Sequence, residues 1–206
     1  GKQHYLERID FSEYKAFDQI LNGIPPRKQV HLANSSTVRY SQLFHMGPGN
    51  TVYCNRGTSG IEGSTSTAVG ASLASEEPTL LITGDLSFFY DINALWNNYV
   101  RSDFRIIVIN NGGGGIFRIL PGKKEGADFE TFFETVQDRS IPEICKAFGL
   151  DYLGAGTDRE LAVALQKFYE SSDSPKLLEV KTPRKLNDSV LLGYFDFLSW
   201  RLPNIL

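Results

Sequence analysis

The sequence has few cysteines and no excess of basic residues, and both shortages disfavour classes of protein. Only two of its 206 residues are cysteine, Cys54 and Cys145. Neither has a Cys-x-x-Cys or Cys/His spacing, so neither a disulfide framework nor a zinc site is expected. Lys and Arg number 21 against 24 Asp and Glu, which gives a net charge of -3. Because the basic residues are scattered, no nucleic-acid surface is expected.

Long hydrophobic runs are also missing. A membrane-spanning helix needs about 20 consecutive apolar residues, and no segment approaches that length. No basic start is followed by an apolar core of the kind that signal peptides have. These features predict a cytoplasmic protein without a membrane span. The sequence begins with Gly1 rather than Met, as a fragment of a longer chain would.

What the sequence does contain is an alternation of branched apolar segments with segments of helical period. Its 206 residues, 41% of them hydrophobic, are enough for one sizeable core. The pattern predicts an α/β fold, doubly wound, with a mainly parallel sheet of about six strands and helices on both faces. The predicted strands are residues 30–33, 51–54, 79–83, 105–109, 151–153 and 177–181. The predicted helices are residues 12–21, 36–44, 64–74, 89–100, 141–148, 158–171 and 188–200.

Two consecutive prolines, Pro25 and Pro26, follow the first predicted helix. Because proline interrupts helices and strands, residues 1–28 are predicted to be a linker or the tail of a preceding middle domain. Residues 29–206 then form the α/β domain itself.

Polar and glycine-rich motifs follow four of the predicted strands. They are Asn34-Ser35-Ser36, Asn55-Arg56-Gly57, Gly84-Asp85 and the run from Asn110 to Gly115. Ligands of doubly wound sheets bind at the carboxyl ends of the strands, so these four loops are expected to meet at one edge. Taken singly, each motif also has a structural interpretation, because serine and aspartate cap helices and glycine turns the chain.

Asp85 and Asn111 provide two oxygen donors at the ends of adjacent strands. A carboxylate, an amide oxygen and a backbone carbonyl from residues 112–115, the glycine loop, are suitable ligands for Mg²⁺. This ion prefers octahedral oxygen coordination and often adds phosphate oxygens to its shell. Glycines let the backbone approach a phosphate closely, and helices that begin near Ser36 and Ser87 offer free N–H groups to an anion. The motifs therefore predict a site for a metal-bound diphosphate.

The glycine loop matches neither of two common nucleotide-binding motifs. A GxGxxG fingerprint that starts at Gly113 finds Gly115 at its second position but Arg118 at its last. No GxxxxGK followed by Ser or Thr occurs anywhere in the chain. A nicotinamide dinucleotide site and a P-loop are therefore both disfavoured.

Gly84-Asp85, followed by Asn110-Asn111, resembles the GDG...NN signature by which thiamine diphosphate (ThDP) enzymes hold the cofactor through Mg²⁺. Four ordered blocks extend the similarity to the C-terminal domain of the 2-succinyl-5-enolpyruvyl-6-hydroxy-3-cyclohexene-1-carboxylate (SEPHCHC) synthase family. The blocks are NSSTVR (34–39), NRGTSGIEG (55–63), GDLSFFYDINAL (84–95) and NNGGGGIFRILPG (110–122). The resemblance implies the ThDP-binding fold for residues 29–206, with ThDP and Mg²⁺ or Mn²⁺ as cofactors. Leu86 departs from the glycine of the wider signature, and Gly112 stands where this family often has a third Asn.

The resemblance also implies roles for individual residues. Asp85 and Asn111 would bind the metal through their side chains, and Gly113 would bind it through its carbonyl oxygen. Ile61 would lie under the cofactor and hold it in a bent conformation. The other residues implied to contact the cofactor are Ser35, Ser36, Gly84, Leu86, Ser87, Gly114 and Ile116.

The activity implied by the resemblance is decarboxylation of 2-oxoglutarate and addition of the succinyl unit to isochorismate in menaquinone biosynthesis. Both substrates are dianions, and Arg39 and Arg56 would face their carboxylates, because a guanidinium group matches a carboxylate with two parallel hydrogen bonds. Ser35 would also contact substrate, and Phe117 and Leu120 would line an apolar wall near the reacting carbon.

Enzymes of this family have three domains, and the glutamate that activates the cofactor belongs to the N-terminal pyrimidine-binding domain. No catalytic residue is therefore expected in this chain, which we expect to be inactive alone. Its expected partner is the N-terminal domain of a second subunit in a homo-oligomer, a dimer or a tetramer. Two alternatives remain open, namely another ThDP-dependent 2-oxoacid decarboxylase or carboligase and a non-catalytic domain of the same fold.

Overall fold

A computed structural model describes residues 1–122 and 125–201. Its centre is a six-stranded sheet with the order β2-β1-β3-β4-β6-β5, and every neighbouring pair is parallel. The strands are β1 (Gln29–Leu32), β2 (Thr51–Cys54), β3 (Thr79–Gly84), β4 (Arg105–Asn110), β5 (Asp151–Ala155) and β6 (Lys176–Lys181). All six coincide with predicted strands, and the predicted α/β class is confirmed.

Helices connect the strands. The α-helices are α1 (Lys2–Leu6), α2 (Glu13–Asn22), α3 (Ser36–Ser41), α4 (Ser64–Ala74), α5 (Asp85–Tyr90), α6 (Ile116–Ile119), α7 (Ile141–Phe148), α8 (Asp158–Tyr169) and α9 (Asn187–Arg201). A 3-10 helix spans Ile92–Leu95, and a π-helix spans Phe129–Phe133. In the described parts of the chain, no helix is both long and apolar enough to cross a membrane.

The helix predicted at residues 89–100 was wrong in its position. The structure begins α5 at Asp85, directly at the end of β3, and the helix ends before Asp91. The carboxylate of Asp91 turns to the first turn of α4, where it accepts hydrogen bonds from the Ser66 backbone N–H at 2.7 Å and from the Ser66 hydroxyl. These hydrogen bonds link the segment after α5 to α4. The hydrophobic period of residues 89–100 does not predict such a contact, because the partner lies in another helix.

The core consists of two hydrophobic clusters, one on each face of the sheet. Successive residues of β4 alternate between the clusters, since Ile107 and Ile109 belong to one and Ile106 and Val108 to the other. Side chains of a strand point alternately to opposite faces, and all four are buried here. The continuous apolar run at residues 106–109 is therefore explained by helices on both faces of the sheet.

Helix α2 belongs to the first of these clusters. Tyr14, Phe17 and Ile20 are fully buried with the sheet residue Ile82, and their spacing puts them on one face of the helix. Residues 1–28, predicted to be a linker or a domain tail, thus contribute a helix to the core of the described structure. The domain boundary at residue 28 stays a prediction.

The order of the strands creates a crevice at one edge of the sheet. β1 pairs with β2 on one side and with β3 on the other. The chain therefore leaves β1 toward one side of the sheet, to β2, and leaves β3 toward the other side, to β4. Ligands of open α/β sheets bind outside the carboxyl ends of the strands at such a switch point. The loops that follow β1, β3 and β4 open at this point.

Candidate functional site

A cavity of about 280 Å³ lies at the carboxyl ends of β1, β3 and β4. Every residue predicted to contact the cofactor lines it, namely Ser35, Ser36, Ile61, Gly84, Asp85, Leu86, Ser87, Asn111, Gly113, Gly114 and Ile116. Further lining residues that the sequence did not predict are Glu13, Phe17, Asn34, Thr37, Ile109 and Gly115. The fold therefore brings motifs from four separate loops to one cavity, while the roles of these residues stay predictions.

The residues predicted to contact substrate divide into two groups. Ser35 and Phe117 line the cavity, and Arg39, Arg56 and Leu120 lie outside its wall. Phe117 and Leu120 are 37% and 44% exposed, and the Phe117 ring packs edge-on against Phe133, so the apolar surface that they form at α6 is only partly covered.

The two arginines differ in their surroundings. The Arg56 guanidinium donates a hydrogen bond to Oδ1 of Asn34 at 2.8 Å. Asn34 is buried in the cavity wall, and its amide NH₂ donates to the backbone carbonyls of Asn55 and Gly60. Asn34 therefore ties the loop after β2 to the cavity and sets the position of Arg56. The Arg39 side chain is exposed on α3 and has no hydrogen bond or ion pair with any described residue.

Asp85 is 2% exposed at the start of α5. Its Oδ1 accepts from the N–H of Leu86 at 2.8 Å, and its Oδ2 accepts from Nε2 of Gln137 at 2.7 Å. Burial raises the pKa of Asp85 to about 6, while the hydrogen bonds from Gln137 and from the backbone of Leu86 and Gly113 act in the opposite direction. The carboxylate is therefore fixed in one orientation at the end of β3.

Asn111 is 8% exposed and follows the last residue of β4. Its Nδ2 donates a short hydrogen bond to the Glu13 carboxylate, and its Oδ1 accepts from the N–H of Gly113 at 3.1 Å. Burial raises the pKa of Glu13 to about 7, the hydrogen bond from Asn111 lowers it, and the nearby Asp85 raises it further. Helix α2 thus contributes a carboxyl group to the same cavity as Asp85.

Asn110 makes an equivalent pair of contacts with different partners. Its Nδ2 donates to Oε1 of Glu179 at 2.6 Å, and its Oδ1 accepts from the N–H of Gly112 at 3.1 Å. Glu179 is 1% exposed on β6. Both asparagines therefore direct their NH₂ group to a buried glutamate and their oxygen to the glycine loop.

The glycine loop packs against a buried cluster of ion pairs. Glu134 is fully buried and accepts hydrogen bonds from the guanidinium groups of Arg118 and Arg184. Its backbone carbonyl accepts from the N–H of Gly114. A Cβ at Gly113 would lie 2.7 Å from that carbonyl oxygen, and the backbone of Gly113 has φ +152. Only glycine fits at this position without a shift of the backbone.

We expect replacement of Gly113 by alanine to destabilise the fold by about 3 kcal/mol, because it adds a steric overlap with a backbone atom to an unfavourable φ. Gly112 is the matched control, since it has φ +77 but its nearest contact is the Gln137 carbonyl at 3.8 Å. Gly112→Ala should cost only about 1 kcal/mol. Urea unfolding of both variants measures the difference, and equal costs would show that the overlap at Gly113 is relieved without strain.

Ser35 has an uncommon backbone conformation at the end of the loop that follows β1. Its φ is 70 and its ψ is -133, a combination that costs a non-glycine residue about 1 to 3 kcal/mol. The strained residue lies in the cavity wall. Such strain persists where the surrounding structure imposes it, and it is concentrated at ligand sites.

Ile61 is held in the cavity wall by the start of α5. The hydroxyl group of Ser87 donates a short hydrogen bond to the backbone carbonyl of Ile61. Ile61 and Ile116 give the cavity apolar surface beside the polar groups of Asp85 and Asn111. The cavity therefore combines a polar end with an apolar wall, which suits an organic cofactor that carries a charged group.

The donor set fits a divalent cation with oxygen ligands. The carboxyl groups of Asp85 and Glu13 are both buried, and neither forms an ion pair with a Lys or Arg among the described residues. A cation would offset the cost of burying these charges. Within residues 1–122 and 125–201, no group of three or more His, Cys, Asp and Glu could hold a metal. A cation bound here would have oxygen donors such as the Asp85 carboxylate, the Asn111 amide and backbone carbonyls, a set that suits Mg²⁺ or Mn²⁺ better than zinc.

Sequence reasoning missed Glu13 and Gln137. Glu13 lies in the segment interpreted as a linker, and its position in the first turn of an amphipathic helix signals only a helix start. Gln137 follows the π-helix in a segment without hydrophobic period. Its contacts with Asp85 and with Asn110 Oδ1, the latter at 3.3 Å, join residues far apart in the chain.

Comparison with protein families matches one model to most of this chain. The model describes the C-terminal TPP-binding domain of thiamine pyrophosphate enzymes and matches residues 34–180. The matched range contains all the predicted metal, cofactor and substrate residues but not Glu13.

Curated relatives extend the similarity to nearly the whole chain. A SEPHCHC synthase of Christiangramia forsetii is 54% identical over 196 residues, which are 95% of this chain and 34% of the relative. One of Flavobacterium johnsoniae is 48% identical over 96% of this chain and 36% of the relative. One of Porphyromonas gingivalis is 49% identical over 95% and 34%. The chain spans about a third of the length of the curated relatives that it matches.

Proposed function

The chain belongs to the family of C-terminal TPP-binding domains of thiamine pyrophosphate enzymes, and from this premise we propose that it is the C-terminal part of a SEPHCHC synthase. Thiamine pyrophosphate is another name for ThDP. The observation that carries the proposal is the meeting of Asp85, Asn111 and Gly113 with the predicted diphosphate residues in one cavity. Names of relatives that match nearly the whole chain support the synthase activity.

When bound, ThDP supplies the electron sink for loss of CO₂ from a 2-oxoacid. The chain supplies position and charge. Asp85, Asn111 and the Gly113 carbonyl would hold Mg²⁺ or Mn²⁺, whose charge would offset that of the diphosphate. Gly114 allows close approach of the backbone, and Ile61 supports the organic part of the cofactor from the apolar wall of the cavity.

The substrates proposed are 2-oxoglutarate and isochorismate, and both are dianions. Arg39 and Arg56 supply positive charge near the cavity, and a guanidinium group binds a carboxylate through two parallel hydrogen bonds. Phe117 and Leu120 present exposed apolar surface at α6, which suits a wall that excludes water once the site is closed.

The site is completed by a second subunit in this proposal. Asp85 and Glu13 are both engaged at the metal end of the cavity, so neither is proposed to activate the cofactor. We assign that task to a glutamate in the N-terminal pyrimidine-binding domain of a partner in a homo-oligomer. A general base must be within hydrogen-bond reach of the proton that it removes. In this proposal the partner domain places its glutamate at that distance.

A substrate screen tests the proposed function. The complete enzyme should consume 2-oxoglutarate and isochorismate with ThDP and Mg²⁺, and pyruvate should not replace 2-oxoglutarate. The 206-residue chain alone should fold, as its two-sided core indicates, yet show no turnover. Circular dichroism and release of CO₂ measure the two properties. Preference for pyruvate would indicate another ThDP decarboxylase, and failure of the complete protein to bind ThDP would indicate a non-catalytic domain.

A further inference from the structure

We infer that Glu13 is a positioning residue for the metal site, because its carboxylate selects which end of the Asn111 amide faces the bound cation. This inference rests on the proposed function, since it concerns the same cofactor site. Glu13 lies outside the matched family range of residues 34–180 and was not predicted from the sequence. It reaches the cavity from α2, a helix that precedes β1 in the chain.

The chemistry of the amide gives the contact its direction. The side chain of asparagine carries an oxygen that only accepts hydrogen bonds and an NH₂ group that only donates them. A carboxylate beside Asn111 repels the oxygen and attracts the NH₂ group. The Nδ2 of Asn111 accordingly bonds to Glu13, and Oδ1 is left to face the glycine loop, where it accepts from Gly113.

A cation requires the same orientation. A metal ion binds the oxygen of an amide side chain and not its NH₂ group, so an Asn111 amide rotated by half a turn would present the wrong end. Asn111 is 8% exposed, which leaves little water to satisfy a displaced NH₂ group. Glu13 thus raises the fraction of Asn111 side chains that are ready to bind the metal before it arrives.

The position of Glu13 is set independently of its side chain. Its backbone N–H donates to Oδ1 of Asn187 at 2.8 Å, which joins the start of α2 to the start of α9. The neighbouring Tyr14 is fully buried in the core. A change of the Glu13 side chain therefore leaves both contacts in place, and such variants are expected to fold.

The neighbouring pair provides a control inside the same molecule. Glu179 holds the Asn110 amide as Glu13 holds that of Asn111, and both glutamates are at most 2% exposed. Asn110 is not among the predicted metal ligands. Loss of Glu179 removes a buried carboxylate together with its contacts to Asn110, the Tyr152 hydroxyl and Lys181, and Glu179 makes no hydrogen bond or ion pair with Asp85, Asn111 or Gly113 in the described structure.

The test compares Glu13→Met with Glu13→Gln in the complete enzyme. The two substitutes are similar in length, but only glutamine keeps an oxygen that can accept from Asn111. We expect Glu13→Met to weaken Mg²⁺ binding in the presence of ThDP by about 10- to 100-fold, the usual effect of losing a partner of a metal ligand. Glu13→Gln should lose less affinity than Glu13→Met but bind more weakly than the parent protein, because a glutamine amide can bond either end of the Asn111 amide and so selects its orientation less strongly. Titration calorimetry with Mg²⁺ and ThDP gives the affinities.

The unfolding midpoint without cofactor and the Glu179→Met variant separate positioning from stability. Both methionine variants are expected to unfold at lower temperature, but only Glu13→Met should lose metal affinity by tenfold or more. Equal losses of affinity in the two variants, or unchanged affinity in Glu13→Met, would overturn the inference. If Asp85→Ala abolishes binding while Glu13→Met leaves it unchanged, only the role of Glu13 fails. If the unmodified enzyme binds neither Mg²⁺ nor ThDP, the proposed function fails with it.

Discussion

Replacement of Asp85 by alanine should abolish Mg²⁺-dependent binding of ThDP. Asp85 is the only charged group among the three proposed metal ligands, and the neutral ligands of Asn111 and Gly113 cannot offset the charge of a diphosphate beside Glu13. Asp85→Asn should have a similar effect on binding with less change in shape, because an amide oxygen still accepts from Leu86. The charge of the carboxylate is therefore expected to decide binding.

Titration calorimetry with ThDP, with and without Mg²⁺, measures the loss. Asp151→Ala is a suitable control, because Asp151 begins β5 and is exposed at the opposite edge of the sheet. The control should bind ThDP as the parent protein does. Unchanged affinity in both Asp85 variants would contradict the proposed metal site.

Replacement of Arg39 by alanine in the complete enzyme should lower kcat/KM by roughly 30-fold or more. A charged hydrogen bond that becomes buried is worth about 2 kcal/mol or more when one partner is removed, and 1.4 kcal/mol corresponds to about tenfold. Arg39 has no partner among the described residues, so its loss should leave folding unchanged. Arg27→Ala, at an exposed arginine before β1 on the opposite edge, is the control and should keep full activity.

Replacement of Arg56 should reduce substrate use in the same way and should also lower stability. Its guanidinium group is a hydrogen-bond partner of the buried Asn34 Oδ1, and a buried acceptor that loses a partner costs free energy. Steady-state kinetics and thermal unfolding measure the two effects, and calorimetry with ThDP completes the comparison. If ThDP affinity fell as far as kcat/KM in either arginine variant, the assignment to substrate would be wrong.

The sequence alone determined the strands and the edge of the sheet where the site lies. The apolar run at residues 106–109 predicts a strand covered on both faces, because each residue must be buried whichever way it points. Asp85 and Asn111 directly follow β3 and β4, so once these parallel strands pair, both residues lie at the same edge of the sheet. The individual cofactor and substrate roles came from the resemblance of four motifs and stay predictions, and the structure adds that all the residues predicted to contact the cofactor line one cavity.

How these groups are held depends on contacts between elements that are distant in the chain. Glu13 contacts Asn111 across 98 positions of the chain, and Gln137 contacts Asp85 across 52. Asp91, which follows the end of α5, accepts a hydrogen bond from Ser66 in another helix. Local patterns report which face of an element is buried, because that is a property of neighbours in sequence. The partner of a buried polar group is set by packing between distant elements, so it was decided only once α2, β4 and the segment around Gln137 had come together.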